Sequence, residues 1–300
     1  MICSRCSQRA ILSQRYSGLH LCQDHFVEDF ERRVAKTVRE NGMMPDGERI
    51  AVAVSGGKDS TALLLVLKKI LADRDVEMVA VTVDEGIAGY RDDTVAAARS
   101  ICERLGVEQQ IVSFQEEFGF KLDEIVDGKD AAPCTFCGVF RKSALNRAAK
   151  RLGATKVATG HNLDDEAQSV MMNYLKGDIE RLLRFRPRRE QPGLVPRVKP
   201  LRDIPEKETA LYCMVNAAFT ESRECPYAQL SLRADVRDMM NRIERLFPGT
   251  RHSALQGFEE IAEMAKGRWT GIDLERCRRC GEPCVRDICK ACELLERLKL

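Results

Sequence analysis

The sequence has no long apolar segment. No apolar run approaches the ~20 residues that a helix needs to cross a bilayer, and the opening stretch MICSRCSQRAILSQRYSG lacks the apolar centre of a signal peptide. We therefore expect a cytoplasmic protein with no membrane partner. The chain has 300 residues, 44% of them hydrophobic, which is enough for one large buried core or two domains.

The sequence also has little net charge. Its 48 Lys and Arg residues nearly balance its 46 Asp and Glu residues, which leaves a formal charge of +2. A polyanionic partner would therefore have to be bound by local clusters of positive charge, because the surface as a whole is not basic. Composition alone neither indicates nor excludes a nucleic acid.

Cysteine, by contrast, is abundant. In a reducing compartment the 13 cysteines are not expected to form disulfides, so they indicate metals, clusters or redox chemistry. Two paired motifs near each end of the chain have the spacing of tetrahedral zinc sites. Their ligands are Cys3, Cys6, Cys22 and His25 at the N-terminal end, and Cys277, Cys280, Cys289 and Cys292 at the C-terminal end.

Three of the other cysteines are expected to be structural. Cys102 and Cys213 lie in apolar patterns of helical period, which predicts that both pack in the core. Cys284 is a fifth thiol inside the C-terminal metal loop, and we interpret it as a spare.

The last three cysteines could form an incomplete metal site. Cys134 and Cys137 form a CxxC pair without a second pair nearby, and Cys225 precedes a proline, as some iron–sulfur ligands do. Catalytic metal sites keep one position open, so three ligands would suit a [4Fe-4S] cluster with a free iron. The spacing alone leaves a zinc site or a redox-active pair equally open.

Between the terminal motifs, strands alternate with helices. The segments RIAVAV, VEMVAVTVDEGI, VEQQIVSF and TKVATG are predicted strands, and helical patterns separate them. This order predicts an α/β fold with a parallel sheet, in which ligands bind at the carboxyl ends of the strands.

The first strand runs into the loop SGGKDS, residues 55–60. Its glycines allow backbone N–H groups to approach a phosphate, the following helix offers its positive end, and Lys58 adds charge. It is not a Walker loop, because Val52 stands where that motif needs glycine. A plain Gly-Gly turn would not explain the four polar residues, so the loop indicates a nucleotide site.

These motifs together resemble a known family. SGGKDS after the first strand is the signature of the PP-loop ATP pyrophosphatases. The full order of CSRC, CQDH, SGGKDS, TVDEGIAGYR, PCTFCGVFRK, ATGHNLDDEAQ, GDIERLLR, ECPY, FPGTRHSALQGFE, CRRCGEP and CKAC is similar to the tRNA 2-thiouridine synthetases of the archaeal and thermophile type. That group is related to the eukaryotic cytosolic wobble-uridine thiolation subunit, and the resemblance covers nearly the whole chain.

The resemblance implies a domain organisation. A PP-loop ATP pyrophosphatase domain, of the adenine nucleotide alpha hydrolase-like type, is expected over residues 28–225. An N-terminal zinc finger is expected over 1–27, a helical extension that contacts tRNA over 226–271, and a C-terminal zinc finger over 272–300.

The resemblance also implies an activity. ATP would adenylate O2 of a tRNA uridine, and sulfur would then be transferred to C2 through a [4Fe-4S] cluster, at the wobble position in preference to the T-loop. The implied cofactors are ATP, Mg²⁺, the cluster and two Zn²⁺. The implied partners are tRNA, a sulfur donor that is either sulfide or a ubiquitin-like protein thiocarboxylate, and a second copy of the chain in a homodimer.

Site residues follow from the same resemblance. Cys134, Cys137 and Cys225 would hold the cluster. The expected catalytic residues are Lys58, Asp165, and one of the basic pair Arg141 and Lys142. The expected nucleotide-binding residues are Ser55, Gly56, Gly57, Lys58, Asp59, Ser60, Asp84 and Gly160.

Several alternatives remain open. Asp164 and Asp165 could simply cap a helix, and His161 is a secondary acid–base candidate. An arginine run could bind tRNA phosphates or be a solvated face. The run consists of Arg181, Arg184, Arg186, Arg188 and Arg189. The alternative functions are a PP-loop ligase or amidotransferase, which would not need three extra cysteines, and a non-enzymatic zinc-finger RNA-binding protein.

Overall fold

The computed structural model describes residues 1–126, 133–183, 191, 193–219, 224–227, 232–265 and 274–298. The chain begins with an antiparallel hairpin of strands β1 (Leu12–Gln14) and β2 (Leu19–Leu21), followed by helix α1 (Gln23–Glu40). Four residues of the arginine run, Arg184, Arg186, Arg188 and Arg189, lie outside the described residues.

A parallel sheet forms the centre of the fold. Its strands are β3 (Glu48–Ala53), β4 (Val76–Asp84), β5 (Gln109–Ser113), β6 (Lys156–Ala158) and β7 (Arg197–Val198). They lie in the order β5-β4-β3-β6-β7, and every pairing is parallel. The predicted α/β class and the four predicted strands are confirmed. Strand β7 was not predicted, because two residues are too short to show a period.

Helices connect and cover the strands. They are α2 (Lys58–Ile70), α3 (Arg91–Leu105), α4 (Phe114–Phe118), α5 (Leu122–Val126), α6 (Pro133–Arg151), α7 (Leu163–Leu175), α8 (Ile179–Leu183) and α9 (Glu206–Val215). Beyond them lie α10 (Leu232–Leu246), α11 (Thr250–Met264), the short strands β8 (Glu275–Arg276) and β9 (Pro283–Cys284), and α12 (Lys290–Leu298). In the described part of the chain, no helix is long and apolar enough to span a membrane.

The sheet divides the interior into two cores. Because side chains alternate along a strand, Ile50 and Val52 of β3 join a core with α1, α2 and α9, whereas Ala51 joins a core with α6 and α12. Leu21 of the N-terminal hairpin packs into the first core, and Cys277 of the C-terminal segment packs into the second. The two terminal modules therefore cover opposite faces of the sheet.

Strand order fixes the place of a ligand site. The chain moves outward from β3 through β4 to β5 and then returns to β6 on the other side of β3. In open parallel sheets, ligands bind at the carboxyl ends of the strands on either side of such a reversal. Residues 55–60 follow β3, and residues 159–165 follow β6, so both predicted motifs lie at this point.

Candidate active site

The loop after β3 is shaped to receive an anion. Gly56 has φ +87°, and a Cβ atom there would lie 1.9 Å from the carbonyl oxygen of Thr94, so only glycine fits. The Ser55 hydroxyl lies 3.1 Å from that of Ser60, which closes the loop on itself. Gly57 caps α2 without a side chain, so the positive end of the helix faces outward.

Lys58 is held by two carboxylates at the start of α2. Its Nζ lies 3.0 Å from Asp59 Oδ2 and 2.6 Å from Glu206 Oε1. Burial alone would lower the pKa of Lys58, but the two carboxylates raise it above its ordinary value. The lysine is therefore a fixed positive charge beside the loop.

The turn after β6 approaches this loop closely. A Cβ atom on Gly160 would lie 2.9 Å from the carbonyl carbon of Asp59, so glycine permits the contact. Asn162 caps α7, and its Nδ2 also donates to Asp59 Oδ1 at 3.1 Å. The two motifs are therefore joined through Asp59.

Asp165 both caps a helix and faces a cavity. Its carboxylate accepts a hydrogen bond from the Asn162 backbone N–H at 3.2 Å, which completes the capping box of α7. Its other oxygen lies 3.4 Å from Arg233. Burial raises the pKa of Asp165 to about 6, against the lowering effect of Arg233. The helix cap proposed as an alternative is thus present, but the carboxylate also borders open space.

Asp164 also lines this cavity, but its carboxylate is engaged in structural contacts. It is buried, accepts a hydrogen bond from the Glu206 backbone N–H at 2.8 Å, and pairs with Arg251 at 3.1 Å. His161 does not line the cavity, and its Nδ1 lies 2.9 Å from the Thr159 hydroxyl. Although the side chain is exposed, desolvation and the positive charges of Lys199 and Arg233 lower the pKa of His161, so the ring is neutral.

This cavity of about 430 Å³, here called the main cavity, is lined by residues of both motifs and by one of the central cysteines, Cys134. Its lining includes Asp59, Cys134, Arg141, Asp165 and Glu206.

Cys134 lines this cavity, and Cys137 and Cys225 lie close to it. Cys134 and Cys137 lie in the first turns of α6, and Cys134 Sγ lies 3.5 Å from the carbonyl oxygen of Tyr227, two residues beyond Cys225. Burial raises the pKa of Cys137 to about 12, and the charges of Cys225 and Cys134 add to this effect. Among the described residues, the three sulfurs do not all lie within 4.8 Å of one another, unlike the terminal sets. This spacing disfavours a single zinc ion.

The basic pair on α6 divides between two cavities. Arg141 lines the main cavity and lies 3.5 Å from Glu85, and its charge acts on both Cys137 and Cys225. Lys142 lines a different cavity. The sequence alone left the choice between the two open, and the main cavity contains Arg141.

Three polar residues near the site were not predicted. Glu85 is buried at the end of β4, where it contacts Arg91 at 2.8 Å, and a charge directly after a buried strand could have indicated it. Glu206 and Arg233 had no sequence signal, because tertiary packing alone brings α9 and α10 to the cavity.

Asp84 lies apart from the main cavity. It ends β4, and its Oδ1 accepts a hydrogen bond from the Gly86 N–H at 2.9 Å. Its side chain borders a cavity of about 340 Å³ beside Asp92 and Arg99.

Both terminal sets of metal ligands are assembled. Cys3, Cys6, Cys22 and His25 form one group, and Cys277, Cys280, Cys289 and Cys292 form the other, with all ligand atoms of each group within 4.8 Å. Two sulfurs bound to one Zn²⁺, each at about 2.3 Å, stand just under about 4 Å apart, and Cys6 and Cys22 are 3.7 Å apart. Outside these sets, Cys284 donates to the carbonyl of Arg286, while Cys102 and Cys213 are buried in α3 and α9, as predicted.

Comparison with protein-family models gives two matches. The PP-loop domain model matches residues 26–237. The model of the N-terminal LIM domain of the 2-thiouridine synthetase TtuA matches residues 2–27.

Individual relatives match over nearly the full chain. The tRNA 2-thiolation protein NcsA of Haloferax volcanii is 39% identical over 319 residues, covering 100% of this chain and 99% of that protein. Cytoplasmic tRNA 2-thiolation protein 1 of Saccharomyces cerevisiae is 38% identical over 311 residues, covering 99% and 86%. Among solved structures, the U34-tRNA thiolase NcsA from Methanococcus maripaludis with its [4Fe-4S] cluster matches with a TM-score of 0.87 and 36% identity, covering 99% and 96%.

Proposed function

The chain belongs to the PP-loop family of tRNA 2-thiolation proteins, and from this premise we propose that it is an ATP-dependent tRNA-uridine 2-sulfurtransferase. In the proposed reaction, O2 of the uridine attacks the α-phosphorus of ATP and releases pyrophosphate. Sulfur then adds to C2, and AMP departs with the oxygen. The observation that supports this proposal most strongly is that Asp59, Cys134 and Asp165 line one cavity.

The loop after β3 would bind ATP. The glycines and the N-terminus of α2 suit the phosphates, and Lys58 supplies a positive charge. Because Lys58 is paired with Glu206 at 2.6 Å, an arriving phosphate would replace that carboxylate as its partner. Asp59 would help to bind Mg²⁺, for which a carboxylate is a suitable ligand.

Cys134, Cys137 and Cys225 would hold a [4Fe-4S] cluster. The donors fit, because Cys134 lines the main cavity, the charges of Cys134 and Cys225 both act on Cys137, and the three sulfurs are not all within 4.8 Å of one another, as ligands of one ion would be. The M. maripaludis structure contains such a cluster. When bound by three cysteines, the cluster supplies one iron without a protein ligand, where sulfur can be held.

Two side chains would act on the uridine. When O2 of the uridine is adenylated, N3 loses its proton. Asp165, with a pKa of about 6, is ionised at neutral pH. Its carboxylate can therefore accept the N3 proton and return it when sulfur has been added. Arg141 supplies positive charge to the main cavity, where negative charge develops on the departing phosphate. Glu85 pairs with Arg141 at 3.5 Å.

The target uridine, the sulfur donor and the oligomeric state are proposed from the family. The wobble uridine is favoured, because the similar solved structure is that of a U34-tRNA thiolase. Either sulfide or a ubiquitin-like protein thiocarboxylate meets the chemical need for a sulfur donor. We propose a cytoplasmic homodimer with one Zn²⁺ in each terminal set of ligands of each chain.

Iron analysis tests the cluster. We expect protein purified without oxygen to contain about four iron atoms per chain and to absorb visible light. Cys134→Ala should lose both the iron and thiolation but still bind ATP. Cys102→Ala, which changes a buried cysteine of α3, should retain all three properties. A colourless protein with full thiolation activity would contradict the proposal.

A further inference from the structure

A second cavity, here called the side cavity, lies between α6, the residues around β7 and the C-terminal module. Its volume is about 420 Å³. Lys142 and Asn146 of α6 line one wall, Arg197 of β7 lines another, and Pro283 and Ala291 of the C-terminal module line the third. The sequence motifs gave no indication of this cavity.

The side cavity carries positive charge that no acid neutralises in the part of the chain that the structure describes. Among the described residues, no carboxylate lies within 4.0 Å of the charged nitrogens of Lys142, Arg181 or Arg197. The acidic residue in the lining, Glu282, is already paired with Lys150 at 3.0 Å and accepts a hydrogen bond from Asn146 at 2.7 Å.

These cations are close enough to repel one another. Desolvation lowers the pKa of Lys142 even though its side chain is exposed, and the positive charges of Arg197 and of Arg181, which lies on α8 outside the cavity lining, lower this pKa as well. Arg197 is also fixed in place, because it donates to the carbonyl of Lys142 at 3.0 Å. A cluster of like charges held together without counter-charges is stabilised by an anionic ligand.

The position of the cluster suggests which anion it receives. Arg141 and Lys142 are neighbours on α6 but line different cavities, so both cavities border the same turn of one helix. We therefore expect a strand that places one nucleotide in the main cavity to bring a neighbouring phosphate to the side cavity. The apolar lining, which includes Val139, Val195 and Pro196, suits a sugar or a base next to the charged group.

We propose that the side cavity binds a phosphodiester group of the tRNA strand that presents the target uridine, with Arg197 and Lys142 as its cationic contacts and Arg181 as a neighbouring charge outside the lining. This inference rests on the proposed function, since it takes tRNA as the substrate. The phosphate contact in the side cavity would fix the register of the strand, whereas the reaction itself would take place in the main cavity.

Salt-dependent binding tests the assignment. The affinity of the cluster-loaded protein for labelled tRNA is measured by fluorescence anisotropy over a range of KCl concentrations. We expect Arg197→Gln to weaken binding about five- to tenfold and to reduce the slope of log K against log salt by about 1, because one phosphate contact is lost. ATP binding should not change.

Two further variants make the result specific. Arg181→Gln should act in the same direction and is structurally mild, because the side chain is exposed and makes no ion pair within the described residues. The matched control, Arg74→Gln, removes an exposed arginine paired with Asp46 after α2 and should change neither affinity nor slope. An unchanged slope in both Arg197→Gln and Arg181→Gln would overturn the inference.

Two parallel measurements distinguish a tRNA contact from a site for a free anion and from a failure of the proposed function. If pyrophosphate, titrated by calorimetry with the nucleotide site filled by ATP, binds to the wild type and not to Arg197→Gln while the tRNA slope is unchanged, the side cavity belongs to a free anion and the RNA assignment is wrong. Thiouridine formation tests the proposed function separately. A protein whose tRNA slope responds to both variants but that forms no thiouridine supports the cavity assignment and contradicts the proposed function.

Discussion

Gly56 shows how much of the nucleotide site depends on one residue. Its positive φ and the 1.9 Å approach of a hypothetical Cβ to Thr94 mean that a side chain would displace the loop from α3. The serines of the loop, by contrast, act through hydroxyls that bond within the loop. The SGGKDS motif could be recognised from sequence, but the part that α3 plays in shaping it could not.

We expect Gly56→Ala to reduce ATP affinity at least about tenfold and to destabilise the fold by more than the ~1–2 kcal/mol that left-handed backbone strain costs alone. Gly119→Ala is the matched control, because Gly119 has φ +83° with no atom within 4 Å of its Cβ position. That variant should show the strain cost without a change in ATP affinity. Calorimetric titration measures the ATP affinity, and urea unfolding measures the free energy of unfolding. Equal losses of both quantities in the two variants would contradict the expected clash at Gly56.

The pKa of Asp165 predicts how the reaction depends on pH. Because burial raises its pKa to about 6, the carboxylate is protonated below that pH and ionised above it. If the ionised form is the base, kcat/KM for thiolation should rise about tenfold per pH unit up to pH 6 and then level. The neighbours that influence this titration are Arg233, Asp59 and Glu206.

The pH profile is measured from thiouridine formation at fixed tRNA and ATP concentrations. Asp165→Asn should lose most activity and the acidic limb together. Asp235→Asn, on the exposed first turn of α10, should keep the wild-type profile. An acidic limb that persists in Asp165→Asn would assign the titration to another group.

Helix α9 links the N-terminal module to the nucleotide site. Glu208 is fully buried, where it pairs with Arg33 of α1 and accepts a hydrogen bond from Tyr16 of the hairpin at 2.8 Å. Two residues earlier, Glu206 pairs with Lys58 at 2.6 Å. The sequence predicted the helix from its apolar period, but this polar contact between distant segments left no local pattern.

We expect Glu208→Gln to lower the free energy of unfolding by about 3 kcal/mol, because it leaves Arg33 buried with one of its charged partners removed. Asp29 still pairs with Arg33 at 2.9 Å, so the protein should fold. Glu40→Gln, which removes an exposed carboxylate of α1 near Lys36, should cost less than about 1 kcal/mol. Urea unfolding of the zinc-loaded protein compares the two variants. An equal loss of unfolding free energy in both would contradict a stabilising role for the buried pair of Glu208 and Arg33.

The assembled fold shows which features a sequence can reveal. Strands of five or more residues, the phosphate loop and the paired zinc ligands have local patterns, and each is where the sequence placed it. The meeting of Cys134 with the segment of Cys225 requires the chain to return across about ninety residues, which only topology brings about. The same holds for the side cavity, whose three walls come from separate parts of the chain.

The arrangement of the two modules on opposite faces has a functional consequence. The N-terminal module stabilises the side of the sheet that carries α2 and α9, and the C-terminal module completes the side cavity beside α6. Nucleotide binding and RNA binding would thus depend on different modules. In the proposed function, the uridine would react between them, at the carboxyl ends of β3 and β6.

The formation of 2-thiouridine in an oxygen-free reaction of the reconstituted protein with tRNA, ATP and sulfide addresses this function most directly. The nucleosides are identified by mass spectrometry after digestion of the tRNA. We predict one 2-thiouridine and one AMP per turnover for the wild type and for Cys102→Ala, and no thiouridine for Cys225→Ser, although that variant still binds ATP and tRNA. Wild-type yields of 2-thiouridine from Cys225→Ser would contradict a role for the three central cysteines in sulfur transfer.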